Sequence, residues 1–562
     1  MRAINIGGQG YDKLKENNYF LVDKTSFIKD WWEAGRDVTL ITRPRRFGKT
    51  LNMSMLECFF SNRCGGRSDL FEGMEIWKDE KYRQMQGTWP VIFLSFANVK
   101  ESTFEGARRS IIRVLQRVSD SFRSLWTEDE KQSDEYTFMN LTTETPDSDV
   151  CISVNLLCKY LESHYKKKVL IFLDEYDTPM QEAYVSGYWD QMSGFMRSFF
   201  NATFKTNPYM ERALMTGITR ISQESMFSDF NNPDVITITT NKYETAFGFT
   251  EDEVWAALDE YGLYDQKEMV KKWYDGFTFG DRRDIYNPWS IINFLDKGKF
   301  DTYWSNTSSN KMLSDLIAKG SNDLKETMEL LLDGRSFESS IDEEIIFASL
   351  ENGGPDKVWS LMIAAGYLKV VSVHPGEDEF DPPVYVLTLT NGEVRRMFVK
   401  MVRRWFDPAG SANDQFVAAM LRGDLDQMNG YMNSIALSTI SYFDTGKEPS
   451  EKNTPEKFYH GFVLGLLVRE RTKYSIRSNR ESGDGRYDIC LYPKKTDLPG
   501  IVIEFKVMDP DTGEKDLSDT ADSAIAQIKD KDYAADLREA GVTDILEYGF
   551  AFAGKKVLIK KV

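Results

Sequence analysis

The sequence predicts an α/β chain of several domains. A doubly wound parallel sheet surrounds a phosphate-binding loop, a mainly helical, winged-helix-like middle follows, and a small α/β domain ends the chain. Three observations lead there. An apolar run, Val38 to Thr42, ends in a polar turn and Gly48-Lys49-Thr50, after which Leu51, Met53, Met55, Leu56, Phe59 and Phe60 recur at helical spacing. A second apolar run, from Val169, closes on Asp174-Glu175. Far downstream, Ile501 to Val507 (IVIEFKV) sets a glutamate and a lysine on one face of an otherwise apolar strand.

At 562 residues the chain exceeds a single core, and 41% hydrophobic content suffices for several. We divide it at 1–242, 243–440 and 441–562. The net charge of −18 argues against a broad, non-specific nucleic-acid surface. The acid is uneven, however: residues 441–562 hold 20 Lys+Arg against 22 Asp+Glu, a net of −2, so a basic groove is compatible with that part. Five cysteines without CxxC spacing read as reduced thiols, and three histidines make a His-rich zinc site a poor fit, so any metal is expected on carboxylates. No signal core and no apolar run of about 18 residues is present, so the expectation is a cytoplasmic protein without membrane contact.

Strand, short loop and helix with GK[ST] at the helix start is the context a P-loop requires. There the helix N–H groups, with Gly48, meet the anion, Lys49 faces the β/γ phosphates, and Thr50 holds Mg²⁺. Arg43 occupies the place of the first glycine. Arg43, Arg45 and Arg46 either grip phosphates in its stead or sense a neighbouring subunit, which leaves a homo-oligomer open. Upstream, Phe27, Ile28, Trp31 and Trp32 lie on one side of a helix, and Tyr19 to Thr25 either pack at a sheet edge or line the nucleotide pocket. Gly7, Gly8 and Gly10 read as a flexible start.

Pro90 to Ala97 is a buried strand, Phe104 to Trp126 a helix, and the acidic stretch 127–150 a solvated excursion. The carboxylates after Val169 stand at the strand end where open α/β sheets bind ligands. Asp174 would hold the Mg²⁺ shell and Glu175 would orient or activate water. The strand from Glu211 to Thr219 ends in Thr216 and Arg220; either delivers a polar group to the γ-phosphate, or they are a strand cap and a solvated arginine. Residues 234–240 would add a fifth strand.

Beyond 243, YDGF, YNPWSIINFL and YWSNTS suggest a helical lid with aromatic anchors. Helix, strand, turn, strand over 358–389 suggests a winged-helix-like module whose acidic loop disfavours DNA contact. A polar linker, 444–457, introduces the last part. In it Asp488 lies on the second strand of a hairpin, and Glu504 and Lys506 follow on the next. Together they suit a metal-dependent phosphodiesterase: Asp488 and Glu504 bind Mg²⁺, and Lys506 steadies or deprotonates the attacking water. A helix over 521–533 places Gln527 and Tyr533 near that site.

Two resemblances follow from these motifs. With FLVDKTSFI, TRPRRFGKTL, FLDEYDTP and TGITRISQESMFSDFNN, residues from about Ile4 to Asn232 closely resemble the bacterial AAA-ATPase-like family, in which RPRRFGKT-like loops recur. With FYHGF, ESGDGRYDI, IEFKV and AIAQIKDKDY, residues from about Lys457 to Lys555 resemble the PD-(D/E)xK nuclease superfamily, whose fold is restriction-endonuclease-like. The resemblance implies an AAA-like P-loop NTPase with Lys49, Thr50, Asp174 and Glu175 at the nucleotide. It also implies a nuclease triad of Asp488, Glu504 and Lys506 with Gln527 in support, and Glu481 as a further acidic position. The expected function is an ATP-binding, ATP-hydrolysing regulator joined to a Mg²⁺-dependent nuclease acting on nucleic acid, DNA ahead of RNA, in a setting such as defence or mobile-element biology. The alternative is a nucleotide-dependent switch or scaffold whose nuclease-like part binds without cleaving.

Overall fold

The long apolar runs become the strands of one parallel sheet. In the computed structural model, β1 (Val38–Thr42), β2 (Val91–Ser95), β3 (Val169–Asp174), β4 (Met210–Gly217) and β5 (Asp234–Ile236) pair in the order β2-β3-β4-β1-β5. The structure describes the chain apart from residues 131–133, 206, 220–232, most of 306–321, 333, 342–354, 377, 379–380, 407–411, 444–471 save Val463, Leu467 and Glu470, 483–484, 496–497, 509–513 and 554–555. Strands β1 and β3 are buried along their whole length, as continuous apolar runs covered on both faces must be. β4 lies between them, so the loop after β1 and the carboxylates after β3 reach the same edge of the sheet.

Helix Lys49–Phe60 packs on this sheet, and helix Ser26–Glu33 buries Phe27, Ile28 and Trp31; the Trp31 ring meets Phe60 and Phe172 edge-on, each at 5.8 Å. The stretch expected to be a solvated excursion is anchored instead: Phe138, Met139 and Leu141 are buried in the main core. The glycine-rich start is not loose either, because Phe20 N–H donates to the Ala3 carbonyl at 2.8 Å.

The segment expected to be a helical lid also carries strands. β6 (Phe249–Thr250), β7 (Phe277–Phe279) and β8 (Arg282–Tyr286) form a small antiparallel sheet, and Phe277 and Phe279 pack on Phe47 of the phosphate loop at 4.7 and 5.3 Å. Helix Glu251–Glu260 follows with a reciprocal Thr250–Glu253 cap, and Glu253 also pairs with Lys24 at 2.7 Å. A third sheet joins β9 (Phe337–Ser339), β10 (Leu368–His374) and β11 (Val384–Leu389) in the order β10-β11-β9.

Two compact units result, Met1–Met397 and Phe398–Val562. Helices Ala412–Arg422 and Leu425–Phe443 belong with the C-terminal sheet. Their Phe416, Val417, Met420, Met428 and Met432 share a core with Ile489, Ile503, Phe505 and Phe550. That sheet runs β12 (Tyr474–Ser482), β13 (Gly485–Pro493), β14 (Gly500–Val507), β15 (Ile545–Ala553), β16 (Lys556–Lys561), antiparallel except between β14 and β15. The outer edge of β16 is covered by two side chains. Asn429 exchanges hydrogen bonds with both the N–H and the carbonyl of Ile559 (2.7 and 3.0 Å), and Asn433 does the same with Val557 (2.9 and 2.7 Å). Helix Leu517–Asp530 covers the other face, and it approaches closely because β15 has Gly549 there: a Cβ would meet the Ala521 carbonyl at 2.8 Å.

Candidate functional site

In the first unit the site starts from a glycine. Gly48 caps helix Lys49–Phe60 at φ +81°, a conformation that side chains disfavour, and turns the helix N-terminus toward a cavity of about 410 Å³. That volume is within the range for small-molecule sites. Arg46, Gly48, Lys49, Thr50 and Glu175 line it, and so do Phe20, Leu21, Val22 and Lys24; of the two readings of 19–25, the structure places these residues in the cavity wall. Asn5, Gly7, Gly8 and Gln9 line it as well.

Lys49 is buried, and its ammonium donates to the Arg43 and Pro44 carbonyls, both at 2.8 Å. Burial lowers its pKa, opposed by Glu175, Asp174 and Asp177. The Thr50 hydroxyl donates to Asp174 Oδ2 at 2.8 Å. Asp174 is 1% exposed, and burial raises its pKa against the hydrogen bonds from Thr216 and Thr50. A hydroxyl and a carboxylate held together in this way are the hard oxygen donors that suit Mg²⁺. Glu175 stands at φ +51°, uncommon for a residue with a side chain, and accepts from the Thr178 hydroxyl at 3.2 Å.

Two expected residues are elsewhere. Arg43 does not line the cavity: it is fully buried, donates to the Thr42 and Thr237 carbonyls at 3.0 and 2.6 Å and to Lys242 at 3.3 Å, and stacks over Phe279 at 4.5 Å. It braces the loop from behind, because backbone carbonyls take hydrogen bonds from both of its terminal nitrogens. Thr216 is also buried and donates to Asp174 Oδ1 at 2.7 Å, so it fixes the carboxylate and does not reach into the cavity. Arg220 lies outside the described residues. Arg46 lines the cavity with its guanidinium 4.4 Å over the Trp289 ring.

In the second unit the alternation of β14 puts Ile503 and Phe505 into the helix-covered core and turns Glu504 and Lys506 to the face of helix Leu517–Asp530. Asp488 is one step beyond the Ile489–Ile503 pair and therefore opposite Glu504; its Oδ2 accepts the Phe505 N–H at 2.7 Å. Glu504 is 5% exposed, and Gln527 Nε2 donates to its Oε1 and to the Tyr533 hydroxyl, the latter at 3.0 Å. Two carboxylates with strand carbonyls nearby form an all-oxygen donor set, again suited to a hard divalent ion. Lys506 is half-buried, two residues along the same face. Nothing is described for the Glu481 side chain.

With this geometry in hand, comparison with known families places both parts. Residues 5–227 match the family model described as predicted AAA-ATPase, and residues 454–562 match the PD-(D/E)XK nuclease superfamily. Each stretch is thus similar to its family, in the order AAA-ATPase-like and then PD-(D/E)XK. It is also similar along most of its length to a protein of Azotobacter chroococcum mcd 1, "Uncharacterized protein in vnfD 5'region": 24% identity over 551 residues, covering 96% of this chain and 94% of that one. No helix among the described residues is long and apolar enough to cross a membrane.

The AAA-ATPase-like part contains a residue that sequence reasoning passed over. Asp177 is 1% exposed, and its Oδ2 accepts the Ile218 and Thr219 N–H groups at 2.9 and 3.0 Å, fixing the end of β4. Its signal was faint, an aspartate three residues after Asp174 at the start of a Thr-Pro helix. A further acidic group, Glu251, Asp275 and Asp284, has its ligand atoms within 4.8 Å of one another. Lys271 is its cation, 2.6 Å from Glu251 and 3.6 Å from Asp284, and burial pushes Asp275 up to about 7.

Proposed function

We propose that the first unit binds and hydrolyses Mg-ATP and that the second is a Mg²⁺-dependent phosphodiesterase cleaving nucleic acid, DNA ahead of RNA, under control of the nucleotide. The observation that carries this reading is the hydroxyl–carboxylate pair Thr50–Asp174 beside Lys49 and Glu175 at the edge of a nucleotide-sized cavity, in a chain that also holds Asp488 and Glu504 side by side.

At the nucleotide, Lys49 exchanges its loop carbonyls for β- and γ-phosphate oxygens, and the helix N-terminus faces the same charge. Thr50 and Asp174 hold the ion, with Asp174 kept in place by Thr216. Glu175 takes the proton of the attacking water. In the second unit Asp488 and Glu504 hold the ion, Gln527 orients Glu504, and Lys506 positions the attacking water. An ion held there would supply charge withdrawal from the phosphate and a lowered pKa for that water. The near-complete burial of Glu504 behind Gln527 favours a second reading, a nucleotide-dependent switch that binds nucleic acid without cutting it.

The test is a cleavage screen of single- and double-stranded DNA and RNA in Mg²⁺ and Mn²⁺, with and without ATP. Cleavage that is lost in both Glu504→Ala and Lys506→Ala, and whose ATP response is lost in Lys49→Ala, is the expected result. Cleavage unchanged in the first two variants would sink the nuclease assignment, and binding without cleavage would favour the switch.

A further inference from the structure

The phosphate loop lacks its first glycine, so something else must set the direction of its peptides. The Arg43 and Pro44 carbonyls turn toward Lys49. The Arg45 carbonyl is held by Trp304 Nε1 at 2.9 Å and Asn287 Nδ2 at 3.3 Å, and neither residue lines the nucleotide cavity. In a planar trans peptide the C=O and the following N–H point opposite ways. Anchoring the Arg45 carbonyl on Trp304 therefore turns the Arg46 N–H to the other side, where Arg45 to Gly48 line the cavity. Arg46 at φ +66° and Gly48 at φ +81° belong to the kind of turn that gathers N–H groups around an anion.

The two anchors are fixed by one carboxylate. Glu393, 1% exposed, accepts the Trp304 N–H at 2.6 Å and the Ser305 N–H at 3.2 Å on Oε1, and the Ser290 hydroxyl at 2.7 Å on Oε2. Ser290 N–H in turn donates to Asn287 Oδ1 at 3.3 Å. The circuit closes: Arg45, Trp304, Glu393, Ser290, Asn287 and back to Arg45. The Trp304 ring is clamped by Phe277 at 5.5 Å and Tyr367 at 5.4 Å.

We propose that Trp304, Asn287 and Glu393 are positioning residues for the polyphosphate: they act through the Arg45 carbonyl to present the loop amides, the task that the first glycine performs in an ordinary P-loop. This rests on the nucleotide-binding reading above. Such a strap acts on phosphates and not on the nucleoside, which separates it from general support of the fold.

The test is calorimetric binding of Mg-ATP and of adenosine to the full chain. Trp304→Phe keeps the ring packing and removes the N–H; it is expected to weaken Mg-ATP about ten-fold and leave adenosine unchanged. Glu393→Gln can keep its amide oxygen on the Trp304 and Ser305 N–H groups and turn its NH₂ to the Ser290 hydroxyl oxygen, so it is expected to bind Mg-ATP within about two-fold of the parent, whereas Glu393→Ala follows Trp304→Phe. Circular dichroism checks that each variant is folded. Wild-type Mg-ATP affinity in Trp304→Phe, or an equal loss for adenosine, would overturn the strap alone. A parent chain that binds no Mg-ATP would overturn the nucleotide reading and the strap with it.

Discussion

Arg43→Gly restores the ordinary P-loop pattern on paper, and the structure predicts that it harms the protein. The side chain is fully buried, and its two best hydrogen bonds go to the Thr42 and Thr237 carbonyls. Removing it empties on the order of 100 Å³, which at about 24 cal/mol per Å³ costs about 2.4 kcal/mol. Carbonyls left without a charged donor add about 3 kcal/mol. Against this stands relief of a buried charge, whose pKa burial pushes down to about 9, a gain of roughly 3 kcal/mol after relaxation. The cavity and the carbonyls win, leaving a net loss of about 2–3 kcal/mol. Arg43→Met retains most of the volume and sheds the charge, so it should lose about 1 kcal/mol or less. Urea and thermal unfolding of the first unit measure the difference, and Mg-ATP titration should show no gain in affinity for Arg43→Gly. Equal stability of the Gly and Met variants, or tighter nucleotide binding by Arg43→Gly, would refute the bracing role.

Other consequences are equally open to measurement. Gln527→Ala, which removes the amide that donates to Glu504, should lower the rate of metal-dependent cleavage by about 10- to 100-fold, and a Mn²⁺ titration should show weakened binding without any substrate present. Burial pushes Glu393 up to about 7, above the roughly 4.3 of an unfolded glutamate. The folded state therefore holds the proton more tightly, and stability is greatest below the unfolded value and falls as pH rises from about 4.3 through about 7, by on the order of 3 kcal/mol. Melting temperature against pH should show this decline in the parent and a flatter profile in Glu393→Gln. Asn429→Ala and Asn433→Ala should each destabilise the second unit by about 1–3 kcal/mol, seen as a lower urea midpoint for that unit.

The sequence made the long-range plan legible wherever one strand carried its own evidence. β1 and β3 were readable because a strand covered on both faces must be largely apolar, β4 through its run from Ala213 to Met215, and Asp174-Glu175 stood out because acids end such a run. Glu504 and Lys506 were readable because two charges at period two on an apolar strand share a face. The short strands β6 to β8 were not, since two to five residues broken by Gly276, Gly280 and a left-handed Asp284 leave no period to detect. The fates of Arg43 and Thr216 were also hidden: each looked like a phosphate contact, and only the neighbours from residue 237 onward and from β3 show where its donors go. The link from Glu393 to Trp304 spans 89 residues, beyond any local pattern.

The paired asparagines on β16 bear on how such proteins can be recombined. The likeness to nucleases begins at residue 454, yet the groups that close the last strand are on a helix that ends at Phe443. A fragment cut where the likeness starts would present an open row of backbone donors and acceptors, the usual seed of strand-to-strand association. The portable cassette is therefore longer than the family match. An exchange of the C-terminal part between related chains would succeed only if the helix pair from Ala412 travelled with it.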